Sequence, residues 1–131
     1  MRVRYLIEPF ALGALRRGKS IGQFLGGVPE SEKPCIRWVE VRPDGGRYRV
    51  VLHTLEDVGG EGFADLIEFP PLDPDDEDEE FGREIGSADD PLAALHLAEA
   101  RAGAVRERWV NQGVEQDEYL DFVRAGRPAD R

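Results

Sequence analysis

Residues 13–20 read GALRRGKS and match the pattern G-x-x-x-x-G-K-[ST] letter for letter. In a phosphate-binding loop of that pattern, backbone N–H groups wrap the phosphates, the lysine reaches the terminal ones, and the hydroxyl holds Mg²⁺. Gly13, Gly18, Lys19 and Ser20 are the residues such a nucleotide-handling enzyme would use. The chemistry requires a strand before the loop, a flexible loop and a long helix after it. Residues 2–7, RVRYLI, supply an alternating strand pattern upstream. Inside the pattern, however, Ala14, Leu15, Arg16 and Arg17 are strong helix formers. The helical stretch after Ser20 stops early, at Gly26 and Gly27, and no convincing apolar strand ending in a Mg²⁺-binding aspartate follows. The same letters have a plainer reading: Gly18 breaks one short helix and Ser20 caps a second, with Gln23 reaching back three residues later.

A second chemistry lies in residues 73–80, DPDDEDEE. Asp73, Asp75, Asp76, Glu77, Asp78, Glu79 and Glu80 form a dense anionic run that suits a basic protein partner, or a second copy of this chain, met by charge complementarity. Read as a calcium loop from Asp73, the run carries Glu84 at the twelfth position, but Asp78 stands where the loop requires glycine. A dedicated metal site is not expected, and no cofactor is implied. Cys35 is the single cysteine, which excludes an internal disulfide and a cysteine-based zinc site. His53 and His96 stand apart from it in sequence. Trp109, beside Asn111 and Gln112 and ahead of Asp117 and Glu118, either pins a loop to the core or lines a small pocket.

The charge is unevenly spread. The chain of 131 residues carries a net charge of −10. Residues 1–55 hold ten Lys/Arg against five Asp/Glu, and residues 56–90 hold one against fifteen. The overall balance opposes binding to nucleic acid, and the basic half shows no aromatic interleaving of the kind single-strand binders use. Apolar runs fall short of the ~18 residues that cross a bilayer, so no membrane partner is expected. Glu8 and Pro9 cut the N-terminal apolar patch short of a secretory signal, which points to a cytoplasmic protein.

The elements that must position these residues follow from periodicity. Residues 9–17 and 20–27 read as short helices, with Phe10 and Ala14 on the inner side of the first. Residues 35–43 and 47–57 are rich in Val, Ile, Trp and Tyr and are joined by PDGG, a hairpin turn. Tyr48, Val50 and Leu52 share one face; Arg47, Arg49, Val51 and His53 share the other. Residues 63–72 read as a third strand of the meander and 81–86 as a short edge strand. A helix follows Asp89 and Asp90, with Pro91 in its first turn, Leu92, Leu95 and Leu97 inward, and Gly103 as its stop. The last helix turns Tyr119, Phe122 and Val123 inward and ends at Gly126. This order is α+β: a mainly antiparallel sheet of a three-stranded meander, an N-terminal strand and a short edge strand, with helices on one face. Residues 1–126 are expected to form one domain, with an exposed acidic loop at 73–80 and a frayed tail at 127–131. The leading functional expectation is a small acidic binding protein without catalytic activity. A nucleotide-handling enzyme and a binder of small molecules or divalent metals are the alternatives.

Overall fold

The computed structural model describes residues 4–28, 32–72 and 82–128. Five antiparallel strands form one sheet and three helices pack on it. In chain order the elements are α1 (Glu8–Arg16), β1 (Ile21–Gly27), β2 (Cys35–Asp44), β3 (Arg47–Glu56), β4 (Arg83–Ala88), α2 (Pro91–Ala102), β5 (Val110–Asn111) and α3 (Glu115–Arg124). Single 3-10 turns stand at Leu66–Glu68 and Arg106–Arg108. The strands lie in the order β4-β3-β2-β1-β5. The fold is α+β.

The β2–β3 hairpin is the spine of the sheet, and its turn explains its register. Gly45 and Gly46 sit at φ 57° and 86°. A two-residue turn of this hand matches the twist of the strands it joins. With Asp44 set opposite Arg47, every later pair follows, down to Trp38 opposite His53 and Cys35 opposite Glu56. Alternation then sends Val39, Val41, Val50 and Ile21 to one face, where they pack with Ala11, Ala14 and Leu15 of α1 and Ala94, Leu95 and Ala98 of α2. Phe24, Ile36, Trp38 and Leu55 go to the other face, against Leu66, Phe69, Tyr119 and Phe122. The third helix thus lies across the face opposite the first two.

Several elements differ from the sequence expectation. Of residues 20–27, Ile21–Gly27 form a strand, β1, rather than a helix. Three glycines in seven positions weaken a helix there, and pairing with β2 from Ile21 to Gly27 outweighs the local capping pattern. Of the expected N-terminal strand, residues 4–7 are not in the sheet, although the Leu6 N–H donates to the Trp109 carbonyl at 2.8 Å. Residues 63–72 carry a 3-10 turn and two isolated bridges, Phe63 to Gly60 and Pro71 to Leu55, in place of a third meander strand. Pro70 and Pro71 have no N–H to give a ladder, and β4 occupies the β3 edge from Tyr48 to Leu52. Residues 70–72 dock further along that edge, where Glu56 N–H donates to the Pro70 carbonyl and Leu72 N–H to the Thr54 carbonyl.

The expected edge strand and the α2 helix are present. Asp90 caps α2 through the Ala93 N–H at 3.1 Å, and Gly103 ends it in the left-handed conformation. Its inward stripe is Pro91, Ala94, Leu95 and Ala98; Leu92 and Leu97 stand at its margins, half-buried. The buried side of α1 is Ala11, Ala14 and Leu15. That leaves Phe10, expected inward, 64% exposed. Arg127, expected in the tail, is tied down: its backbone N–H donates to the Phe122 carbonyl at 2.8 Å, and its guanidinium reaches Asp57 at 2.8 Å and the Gly59 carbonyl at 2.9 Å. Among the described residues, no helix is long and apolar enough to cross a membrane.

Candidate functional site: a cleft on the second sheet face

The second face of the sheet is covered at one end by α3 and along one side by residues 63–72. Beside residues 63–72 lies a cleft of about 510 Å³, within the ~300–1,000 Å³ typical of small-molecule sites. Its floor is built by alternation along two strands. Trp38, Glu40 and Arg42 come from β2 at every second position, and His53 and Leu55 from β3. Its apolar wall is Leu66, Ile67, Phe69 and Pro71; Gln112 closes one end. Leu66 and Phe69 are fixed in the core, whereas Ile67 is 58% exposed at the rim.

The polar groups of the floor form one connected set. The Glu40 carboxylate meets His53 Nε2 at 2.9 Å, and Arg42 donates to the same Oε1 atom. The His53 ring lies flat on the Trp38 indole, 4.1 Å between centroids with 6° between planes. Glu40 and His53 are both buried. Burial pushes the Glu40 carboxyl up, but hydrogen bonds from His53 and Arg42 and the charge beside it outweigh that and hold it below its ordinary 4.5. A buried carboxylate held this way is costly to expose to any loss of a partner. The Trp38 indole N–H is buried and has no hydrogen-bond partner among the described residues. Leaving such a donor unpaired costs roughly 1–3 kcal/mol.

A second carboxyl stands next to this set. Glu115, in the first turn of α3, rests directly on Gly22 of β1, which pairs with Glu40. A Cβ added at Gly22 would stand 2.1 Å from Glu115 Oε1, so the glycine makes the space that the carboxyl fills. Burial drives the Glu115 carboxyl up to about 7; backbone N–H groups of Glu115 and Gly113 work against the rise and the Glu40 charge adds to it.

The remaining buried acid, Glu118, is saturated by neighbours from the chain's N-terminal end. Arg4 lies at 2.5 Å, Arg108 at 3.3 Å and the Tyr5 hydroxyl at 2.8 Å, with Asp121 also on Arg4 at 2.6 Å. This cluster clamps residues 4 and 5 to α3. Tyr119 donates to Asp57 at 2.5 Å, and burial together with that carboxylate pushes its hydroxyl up to about 12. Both groups are engaged in holding the fold.

The sequence-predicted residues lie elsewhere. Gly13 is inside α1, and the following turns are closed by helical bonds: Arg17 N–H to the Gly13 carbonyl, Gly18 to Leu15, Lys19 to Ala14. Those N–H groups are therefore committed, and Ser20 leads into a strand instead of a helix. Arg16, Arg17 and Lys19 are exposed. Gly18, Lys19 and Ser20 line a separate, polar cavity of about 670 Å³ with Asn111 and Gln112, and Gly13 is not part of it. The acidic residues Asp73, Asp75, Asp76, Glu77, Asp78, Glu79 and Glu80 lie outside the described residues. The flanking residues are placed: Leu72 on the β3 edge and Gly82 against His53, where an added Cβ would be 2.8 Å from Nδ1. Among the described residues, no group of three or more His, Cys, Asp or Glu could hold a metal.

Trp109 is fully buried in the first core cluster, while the tryptophan that lines the cleft is Trp38. The chain matches no family model, no curated protein and no solved structure. The cleft residues were legible in one respect. Once PDGG is taken as a two-residue turn, counting back along both strands sets Trp38 opposite His53 and puts Glu40 and Arg42 on the same face. What the pattern of β2 and β3 does not show is the cover over that face, which comes from residues 63–72 and from Gln112.

Proposed function

We propose that this protein is a non-catalytic binder of a small organic molecule with an apolar body and a polar head, held in the cleft on the second sheet face. One observation carries the reading: a cleft of about 510 Å³ whose apolar wall of Leu66, Ile67, Phe69 and Pro71 faces a floor of convergent polar groups. Sites for small ligands have this composition, an apolar lining that supplies affinity and a few fixed polar groups that set orientation. The floor is rigid because its side chains project from paired strands, and the Glu40–His53 contact and the Trp38 stack lock their rotamers.

The test is a fragment screen read by amide and side-chain chemical shifts on the isotope-labelled full chain. Hits should move Trp38, His53, Leu55 and Phe69 together. Ile67→Trp, placed at the exposed rim, should block the cleft without unfolding the chain and remove those shifts. Hits scattered over the surface, or shifts that persist in the Ile67→Trp variant, would sink the reading.

A further inference from the structure

Resting on the reading of the cleft as a ligand site, the donors left over on its floor point to the chemical class of the ligand. Glu40 is already committed on Oε1 to both His53 and Arg42. Arg42, in contrast, makes a single hydrogen bond among the described residues, although a guanidinium carries five N–H donors in a planar fork. Its side chain is 26% exposed, open to the cleft yet partly withdrawn from water. The Trp38 N–H also lacks a partner among the described residues, but it is buried and closed to a ligand in the cleft. The Arg42 guanidinium therefore brings spare, positively charged donors to the polar end of the cleft.

A planar oxyanion is the complement of such a set, because a guanidinium fork and a carboxylate match in geometry as well as charge. The wall opposite is aliphatic and aromatic: Leu66, Ile67, Phe69 and Pro71. We propose that the ligand is an organic monocarboxylate whose carboxylate pairs with the Arg42 guanidinium, with its hydrocarbon or aromatic body against Leu66, Ile67 and Phe69. A dicarboxylate or a phosphate ester does not suit the apolar wall, which offers nothing to solvate a second charge.

The experiment compares three probes with one body and different heads: phenylbutyrate, phenylbutanol and phenylbutylamine. Each is titrated into the isotope-labelled full chain near neutral pH at about 0.15 M salt, where long-range surface charge is screened. The readout is the indole N–H resonance of Trp38, told apart from that of Trp109 by a Trp38→Phe variant. Phenylbutyrate should bind more tightly than phenylbutanol by at least about tenfold, the factor that one charge-assisted hydrogen bond supplies. Arg42→Gln should bring the two probes to within about threefold, and Arg42→Lys, which keeps the charge beside Glu40 but loses the fork, should recover only part of the preference.

Equal affinity for acid and alcohol, or a preference for the amine, overturns the carboxylate assignment and leaves the cleft reading standing. Absence of any shift at Trp38, Leu55 and Phe69 with all three probes overturns both. The comparison of probes on the unaltered chain decides the matter even if the Arg42 variants prove unstable.

Discussion

Glu115→Gln turns the buried carboxyl on Gly22 into a measurement. The Glu115 carboxyl rises from its ordinary 4.5 to about 7 chiefly because burial removes water from its charged form. Its residue is 3% exposed, so solvent screening does little to reduce the effect. Each tenfold difference in proton affinity is worth about 1.4 kcal/mol, which puts the whole rise at about 3 kcal/mol. The sign follows from proton counting. Between 4.5 and about 7 the folded chain holds a proton that the unfolded chain has released, so stability falls as pH rises through that window. The stabilisation of the protonated form is fully present below 4.5 and lost through about 7. Glutamine is neutral throughout and keeps an oxygen to accept from the N–H groups of Gly113 and Glu115. The variant should therefore match the parent near about pH 4 and exceed it by up to about 3 kcal/mol near about pH 8. For a chain of this size that is a melting-temperature gain of roughly 10 °C. Urea and thermal unfolding at four or five pH values would measure it. Parallel stability curves for the two chains from about pH 5 to about pH 8 would refute the assignment of a displaced carboxyl.

The other expectations concern the same face and its supports. Gly22→Ala should cost about 1–3 kcal/mol, because its Cβ would stand 2.1 Å from Glu115 Oε1; adding Glu115→Ala should recover part of the loss in a double-mutant cycle, and strictly additive effects would argue against contact. Glu40→Gln should lower stability near neutral pH by on the order of 3 kcal/mol. Since the Glu40 carboxyl lies below 4.5, its contribution is present above that pH and lost as pH falls further, so the gap between variant and parent in denaturant melts should close only in acid. Asp90→Ala removes the cap on the Ala93 N–H and should cost about 1 kcal/mol at all pH values above the carboxylate range, read by thermal unfolding.

The parts of the fold that were readable from local chemistry share a physical basis. The hairpin, the edge strand and the α2 helix each carry their determinants within a few residues: Gly45 and Gly46 for the turn, Asp90 and Pro91 for the start of α2, Gly103 for its end. The misread segments are those where a local pattern met a long-range competitor. Ser20 and Gln23 resemble a capping box, yet β1 has β2 on one side and β5 on the other, and the ladder they offer is stronger than one short glycine-rich helix. Residues 63–72 have strand composition, but β4 takes the β3 edge from Tyr48 to Leu52, and only residues 70–72 dock on the rest of it.

The site divides along the same line. The alternation of β2 and β3 and the turn between them determine that Trp38, Glu40, Arg42 and His53 share one face, because side chains in a strand alternate and a two-residue turn sets the register. That alone does not distinguish a solvated polar face from a cleft. The tertiary structure decided the difference. It placed α3 and residues 63–72 over this face, enclosed the Trp38 N–H without a partner among the described residues, and set Glu115 on Gly22 beside Glu40. Those contacts join residues tens of positions apart, and burial and desolvation depend on what packs above a side chain, which no local spacing encodes.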